Sequence, residues 1–123
     1  MVARELALHG DIYKKDGSVV HVNIGEDEND PIFYISDLLP HLAKDQNART
    51  LKDGIKGEEM NVWVGTLKFR DDKVSEKVKL NVLNILFEKY GIIEPDFFSA
   101  ELTLVPAAKA RDIGLDRSLI GAY

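Results

Sequence analysis

Cysteine is absent from the 123 residues. Its absence removes disulfides, thiolate zinc knots and cysteine nucleophiles together, and it fits a reducing compartment. No apolar run approaches the roughly 20 residues that span a bilayer. The start, Met1-Val2-Ala3-Arg4-Glu5, lacks the long apolar stretch of a secretory signal. The expected location is the cytoplasm. Positive charge is also short: 16 Lys and Arg against 21 Asp and Glu give a net −5. A field of that sign recruits neither nucleic acid nor anionic lipid, so no nucleic acid and no membrane is expected as a partner. Internal repeats are missing, and Gly10, Gly17, Gly25 and Gly65 form no phosphate-cradling cluster.

What remains is an ordinary folded composition, 45% hydrophobic and 30% charged, at a length that fits one domain over residues 1–123. Leu6, Leu8, Gly10 and Ile12 alternate with Ala7, His9, Asp11 and Tyr13, the period of a half-buried strand. Val20, Val22 and Ile24 alternate with His21 and Asn23. A strict two-residue Asp-Gly turn would pair Ile12 with His21 and mix the faces. A three-residue loop, Lys15 to Gly17 with Gly17 at positive φ, pairs Ile12 with Val20 and Leu8 with Ile24, and this is the register expected.

Gly25 to Asp30 reads as an acidic loop, and Pro31 opens a third strand through Ile35. Ser36 or Asp37 caps a short helical turn, Leu38 to Ala43, limited by Pro40. Lys44 to Glu59 is polar and aperiodic, a long surface loop. A fourth strand is expected over Asn61 to Leu67, then one strong helix from about Asp72 to Tyr90. Gly91 stands where a helix-ending glycine belongs. Glu101 to Val105 is a strand that Pro106 ends. The tail from Ala107 carries Asp112 and Asp116 near weak helical spacing. Several strands with one helix suggest a small barrel or sandwich. Both ends read as cut, since the last residues, Leu119 to Tyr123, are apolar and uncapped.

The side chains suited to proton transfer at neutral pH are His9, His21 and His41. In the chosen register His21 lies opposite Asp11 and His9 opposite Asn23. A His–carboxylate pair orients a general base, and Ser36 would complete a triad by geometry. The plainer interpretation is a cross-strand polar pair on the solvent face, because no glycine-framed nucleophile accompanies it. No His-x-x-x-His or Glu-x-x-His occurs, so no metal ligand is assigned. The run Glu26-Asp27-Glu28-Asn29-Asp30 lacks the glycine and terminal Glu of a calcium loop and reads as a solvated connection. Trp63 and Phe33 sit in strand patterns and read as core.

The run Ser99 to Ala107, followed by Arg111-Asp112-Ile113-Gly114-Leu115-Asp116-Arg117-Ser118-Leu119-Ile120-Gly121-Ala122-Tyr123, closely resembles the aminopeptidase I/aspartyl aminopeptidase family of dinuclear zinc exopeptidases. Leu6-Ala7-Leu8-His9-Gly10, Asn23-Ile24-Gly25, Asp37 to Leu42 and Asn81 to Leu86 agree with it. The resemblance implies an insert in a larger catalytic domain, mainly β (α+β), a small closed six-stranded Greek-key-like barrel with one long helix and a short helical excursion. It implies a lid and dimerisation role, with assembly from dimer to dodecamer. It also implies peptide hydrolysis from a free N-terminus by two zinc ions and a glutamate base.

The family's metal ligands and base lie outside these residues, so the resemblance assigns no cofactor, no metal ligand and no catalytic residue within this chain. Zinc, as two ions, belongs to the parent enzyme. His41, in Pro40-His41-Leu42-Ala43, is the candidate for a side chain that reaches a neighbouring subunit's active site. In the family that histidine falls a few residues later, where Lys44 or Asp45 stands here. Met1 to Glu5 departs from the apolar lead-in of the family and reads as a cut boundary. Two other functions compete: a stand-alone binding or scaffold module sharing the barrel, and an independent hydrolase built on His21 and Asp11.

Overall fold

A computed structural model describes residues 4–35, 42–71, 73 and 75–121. Strand β1 (Leu6–Tyr13) pairs antiparallel with β2 (Val19–Ile24), placing Leu8 opposite Ile24, Ile12 opposite Val20 and Asp11 opposite His21. This is the register that segregates the faces. It is fixed by the turn, where Gly17 takes a φ of 86° and donates to the Lys14 carbonyl at 3.1 Å. Asp16 closes the turn by accepting from the Ser18 hydroxyl and the Ser18 amide at 2.5 and 2.8 Å. The Ser18 hydroxyl, and then its amide, hold the Asp16 carboxyl below its ordinary range.

The other edge of β1 pairs with strand β5 (Ala100–Pro106), giving a three-stranded sheet in the order β2-β1-β5. Gly10 sits opposite Leu102 with a φ of 152°, and a Cβ built there would lie 1.8 Å from the Glu101 carbonyl oxygen. The close approach of β5 therefore depends on a missing side chain. Ile12, Val22 and Ile24 from the inner face meet Ile92, and Leu8, Phe33, Tyr90, Phe97 and Leu102 close around them.

Helix α2 runs from Lys77 to Tyr90, after the short helix α1 (Lys44–Asn47). Its start is later than the apolar period suggests because Glu76 takes a left-handed φ of 53°, which breaks the helical path. Its end is as the sequence implies. Gly91 is left-handed and donates to the Phe87 carbonyl at 2.7 Å, while Lys14 Nζ donates to the Gly91 carbonyl at 2.8 Å. A 3-10 turn over Glu94–Ser99 leads into β5; its buried Asp96 accepts from the Ile93 amide at 3.0 Å. The helix's end, rather than its length, enters the core: none of its 14 residues is fully buried.

The closed six-stranded barrel is not what forms. Among the described residues the strands make three separate sheets: β2-β1-β5, the pair β3 (Tyr34–Ile35) with β4 (Val62–Trp63), and the pair β6 (Arg111–Ile113) with β7 (Leu119–Gly121). Closure needs an unbroken ladder around the circuit. Here β3 and β4 share only two residue pairs, and a single bridge, Leu6 with Phe33, joins their sheet to β1. The fold is mixed α and β.

The strand expected over Asn61 to Leu67 shrinks to Val62–Trp63, and Trp63 is 55% exposed rather than core, while Phe33 does pack against the core. The tail is a hairpin, not weakly helical, turned by Gly114 at a φ of 89°. The polar stretch from Lys44 contains α1 and a 3-10 turn, Gly57–Glu59. The helical turn expected from Leu38 and its cap at Ser36 or Asp37 lie outside the described residues, apart from Leu42 and Ala43.

Replacing Gly10 with Ala is expected to cost about 2 kcal/mol or more, because backbone must move to admit the methyl group. Gly57→Ala, which meets nothing within 4 Å, is expected to stay within about 0.5 kcal/mol. Urea unfolding compares them, and equal losses would refute the close approach. Asp16→Ala is expected to lower Tm at neutral pH. Because the folded-state pKa of Asp16 is depressed, its contribution is present above the ordinary carboxylate range and is lost as pH falls through the lowered value. Thermal melts of the two proteins should therefore converge in acid.

Candidate functional site

The outer face of the β2-β1-β5 sheet gathers the chemistry-bearing side chains. Alternation puts His9 and Asp11 of β1 on this face, with His21 and Asn23 of β2 on one side and Glu101 and Thr103 of β5 on the other. His21 Nδ1 and Asp11 Oδ1 are in direct hydrogen-bond contact, so the expected pair forms. The His21 side chain is nonetheless 80% exposed. A pair so open to water gains little from the carboxylate and has no dry pocket in which to act as a base. Its geometry is that of a cross-strand surface pair.

His9 is placed differently. Its Nε2 is shielded from solvent and lies 3.1 Å from Glu26 Oε1, close enough for an ion-pair contact but without the alignment of a formed hydrogen bond. Glu26 Oε2 in turn accepts from Asn23 Nδ2 at 3.0 Å. The sequence put His9 opposite Asn23 correctly but missed Glu26, because that partner arrives from the loop after β2 and not from the ladder. His41 and Ser36 lie outside the described residues.

Two carboxylates of the acidic loop, those of Asp27 and Asp30, turn back onto the loop itself. Asp27 accepts from the Asn29 amide at 2.9 Å and from its side chain at 3.1 Å, and the Asn29 amide leads in holding the Asp27 carboxyl below its ordinary range. Asp30 Oδ2 accepts from the Gly25 amide at 3.1 Å. Asp27 and Asp30 thus cap the turn from within. Beside it an open cleft of about 890 Å³ runs to the β6–β7 hairpin, lined by Glu26, Asp30, Ile32, Lys109, Arg111 and Ile113 among others. Among the described residues no group of three or more His, Asp and Glu side chains is arranged to hold a metal ion. His9 and His21 each take a separate carboxylate, so this donor set does not fit a zinc centre, which needs at least three converging ligands. No described helix is long and apolar enough to cross a membrane.

Comparison with known proteins identifies the chain's relatives. Residues 2–123 match Peptidase_M18, the aminopeptidase I zinc metalloprotease (M18) family. A probable M18 family aminopeptidase 1 from Clostridium acetobutylicum is 50% identical over 122 residues, covering 99% of this chain and 26% of the relative. Among solved structures, an M18 family aminopeptidase from Thermotoga maritima superposes with a TM-score of 0.88 at 45% identity, over 98% of this chain and 26% of that one. Aminopeptidase I from Borrelia burgdorferi B31 gives 0.77 at 37% identity, over 98% and 25%. The chain thus spans about a quarter of the length of the relatives it matches. Matched along nearly its whole length, the chain belongs to the M18 family of aminopeptidase I zinc metalloproteases.

Proposed function

We propose that residues 1–123 are a single lid and oligomerisation domain of a cytoplasmic zinc-dependent aminopeptidase that removes N-terminal residues from peptides. The domain itself is not catalytic. In this reading the two zinc ions and the general base belong to the rest of the parent polypeptide, and the domain shapes access to them.

The observation that carries this reading is the surface left uncovered. The chain exposes 9956 Å², whereas a compact monomer of 13.8 kDa exposes about 6,600 Å². Large apolar side chains contribute to the exposed surface. Ile85 and Phe87 of α2 are each more than half exposed, and so are Leu115, Leu119 and Ile120 of the β6–β7 hairpin. Exposed apolar side chains in such number support protein–protein contacts. The surplus of about 3,300 Å² is several times the ~800 Å² that each partner of a standard interface buries. It therefore supports more than one partner: the domain's own catalytic domain and further subunits of a homo-oligomer, from dimer to dodecamer. A stand-alone binding or scaffold module would instead present a polar surface throughout.

We extend the proposal to His41 as a residue contributed to a neighbouring subunit's active site, where it would hold the peptide substrate. The chain alone, given zinc or cobalt, is expected to show no turnover of leucyl or aspartyl chromogenic substrates. Turnover that survives His41→Ala would sink the non-catalytic reading. In the full-length parent, His41→Ala is expected to lower kcat/KM by about ten- to a hundredfold, the worth of one hydrogen bond to a charged group. The sedimentation profile should be unchanged. Unaltered steady-state kinetics would remove His41 from the site.

A further inference from the structure

Across the excursion from α1 to β4, every position from 44 to 61 is exposed or half-exposed. Apolar packing therefore does not hold its shape. Local turns hold its parts. At one end the Arg49 amide donates to the Gln46 carbonyl at 3.2 Å, continuing α1. At the other end the Glu59 amide donates to the Lys56 carbonyl at 3.0 Å within the 3-10 turn. Between them Thr50 Oγ1 donates to Asp53 Oδ2 at 2.8 Å, and the Asp53 amide donates to the Thr50 carbonyl at 3.0 Å, a tight turn that carries fully exposed Leu51.

Among the described residues one side-chain hydrogen bond crosses from the first part to the last: Arg49 Nη1 donates to Glu59 Oε2 at 2.7 Å. We infer that Arg49 and Glu59 form a salt-sensitive clasp that closes the excursion and holds the Thr50–Asp53 turn, with Leu51, in a fixed outward position. The reasons are positional. Each local turn constrains only its own few residues, so between buried Ala43 and the paired Val62 the excursion is drawn together by the bond that joins its two parts. That bond is charge-assisted and short, the stronger kind. Each partner also favours the charged form of the other, raising the Arg49 pKa and lowering that of Glu59 through their hydrogen bond first, so the pair stays ionised at neutral pH. Both side chains are in reach of water, so dissolved salt weakens the pair where it would not weaken a buried one.

Limited trypsin digestion of the full-length protein tests the clasp, with cleavage after Lys52 and Lys56 followed by mass. At low salt Arg49→Met and Glu59→Gln are each expected to be cut several-fold faster than the unaltered protein. At about 0.5 M salt, where charges are screened within a few ångströms, that difference should close. The exchanged pair, Arg49→Glu with Glu59→Arg, is expected to return cleavage to the slow rate. Unchanged cleavage in the single variants would overturn the clasp. So would faster cleavage that the exchange fails to reverse, since the two residues would then act through separate contacts. The readout does not involve peptidase activity, so it is independent of the lid proposal.

Discussion

Strand β1 is the only strand of the described chain paired along both edges, and the rest of the order follows from that position. Its inner residues supply Ile12 to the centre of the core, and its outer residues set the polar face where both described histidines lie. Two long-range ties report the same dependence. Lys14, just past the strand, caps the end of α2 at Gly91, and Ser99, just before β5, donates to the Tyr13 carbonyl at 2.6 Å. The end of α2 and the start of β5 are therefore both fastened to the same end of β1, where it turns into β2.

The division between a small finished core and a large unfinished surface gives the molecule its character. Among the described residues seven apolar side chains are buried, and four of them, Ile12, Val22, Ile24 and Ile92, form one cluster. By contrast, α2 carries Val78, Leu80, Val82, Leu83, Ile85, Leu86 and Phe87 without burying one of them completely. The described chain covers Val78, Leu80, Val82, Leu83 and Leu86 in part and leaves Ile85 and Phe87 exposed.

Much of this was legible in the residues. The β1–β2 register followed from the two-residue period and from Gly17, because only one alignment keeps His21 and Asn23 off the face of Val20 and Val22. The end of α2 followed from Gly91, and the family from the segment between Ser99 and Tyr123. The barrel did not follow: local alternation reveals that a segment can be a strand, not whether its neighbour is near enough to complete a ladder. Trp63 shows the limit, since its strand pattern is genuine and its burial is not. The start of α2 was hidden by the left-handed Glu76, which has no signature in residue type. The β6–β7 hairpin had a signal, Gly114 between short alternating segments, which the Asp112 and Asp116 spacing obscured. Glu26, the partner of His9, came from a loop, where spacing carries no period to read.

The two edges of β1 are completed at very different times as the chain is made. Its first partner, β2, lies across a turn of a few residues, whereas β5 is separated from it by most of the sequence. Closing the longer loop costs about 2 kcal/mol more in chain entropy than closing the hairpin. Until Ala100 to Pro106 has emerged, the edge that bears Gly10 presents unpaired amides and carbonyls, with no side chain at that point to obstruct a foreign strand. The same vacancy that lets β5 approach so closely thus leaves the nascent hairpin open to wrong pairing, and the arrival of β5 ends that exposure.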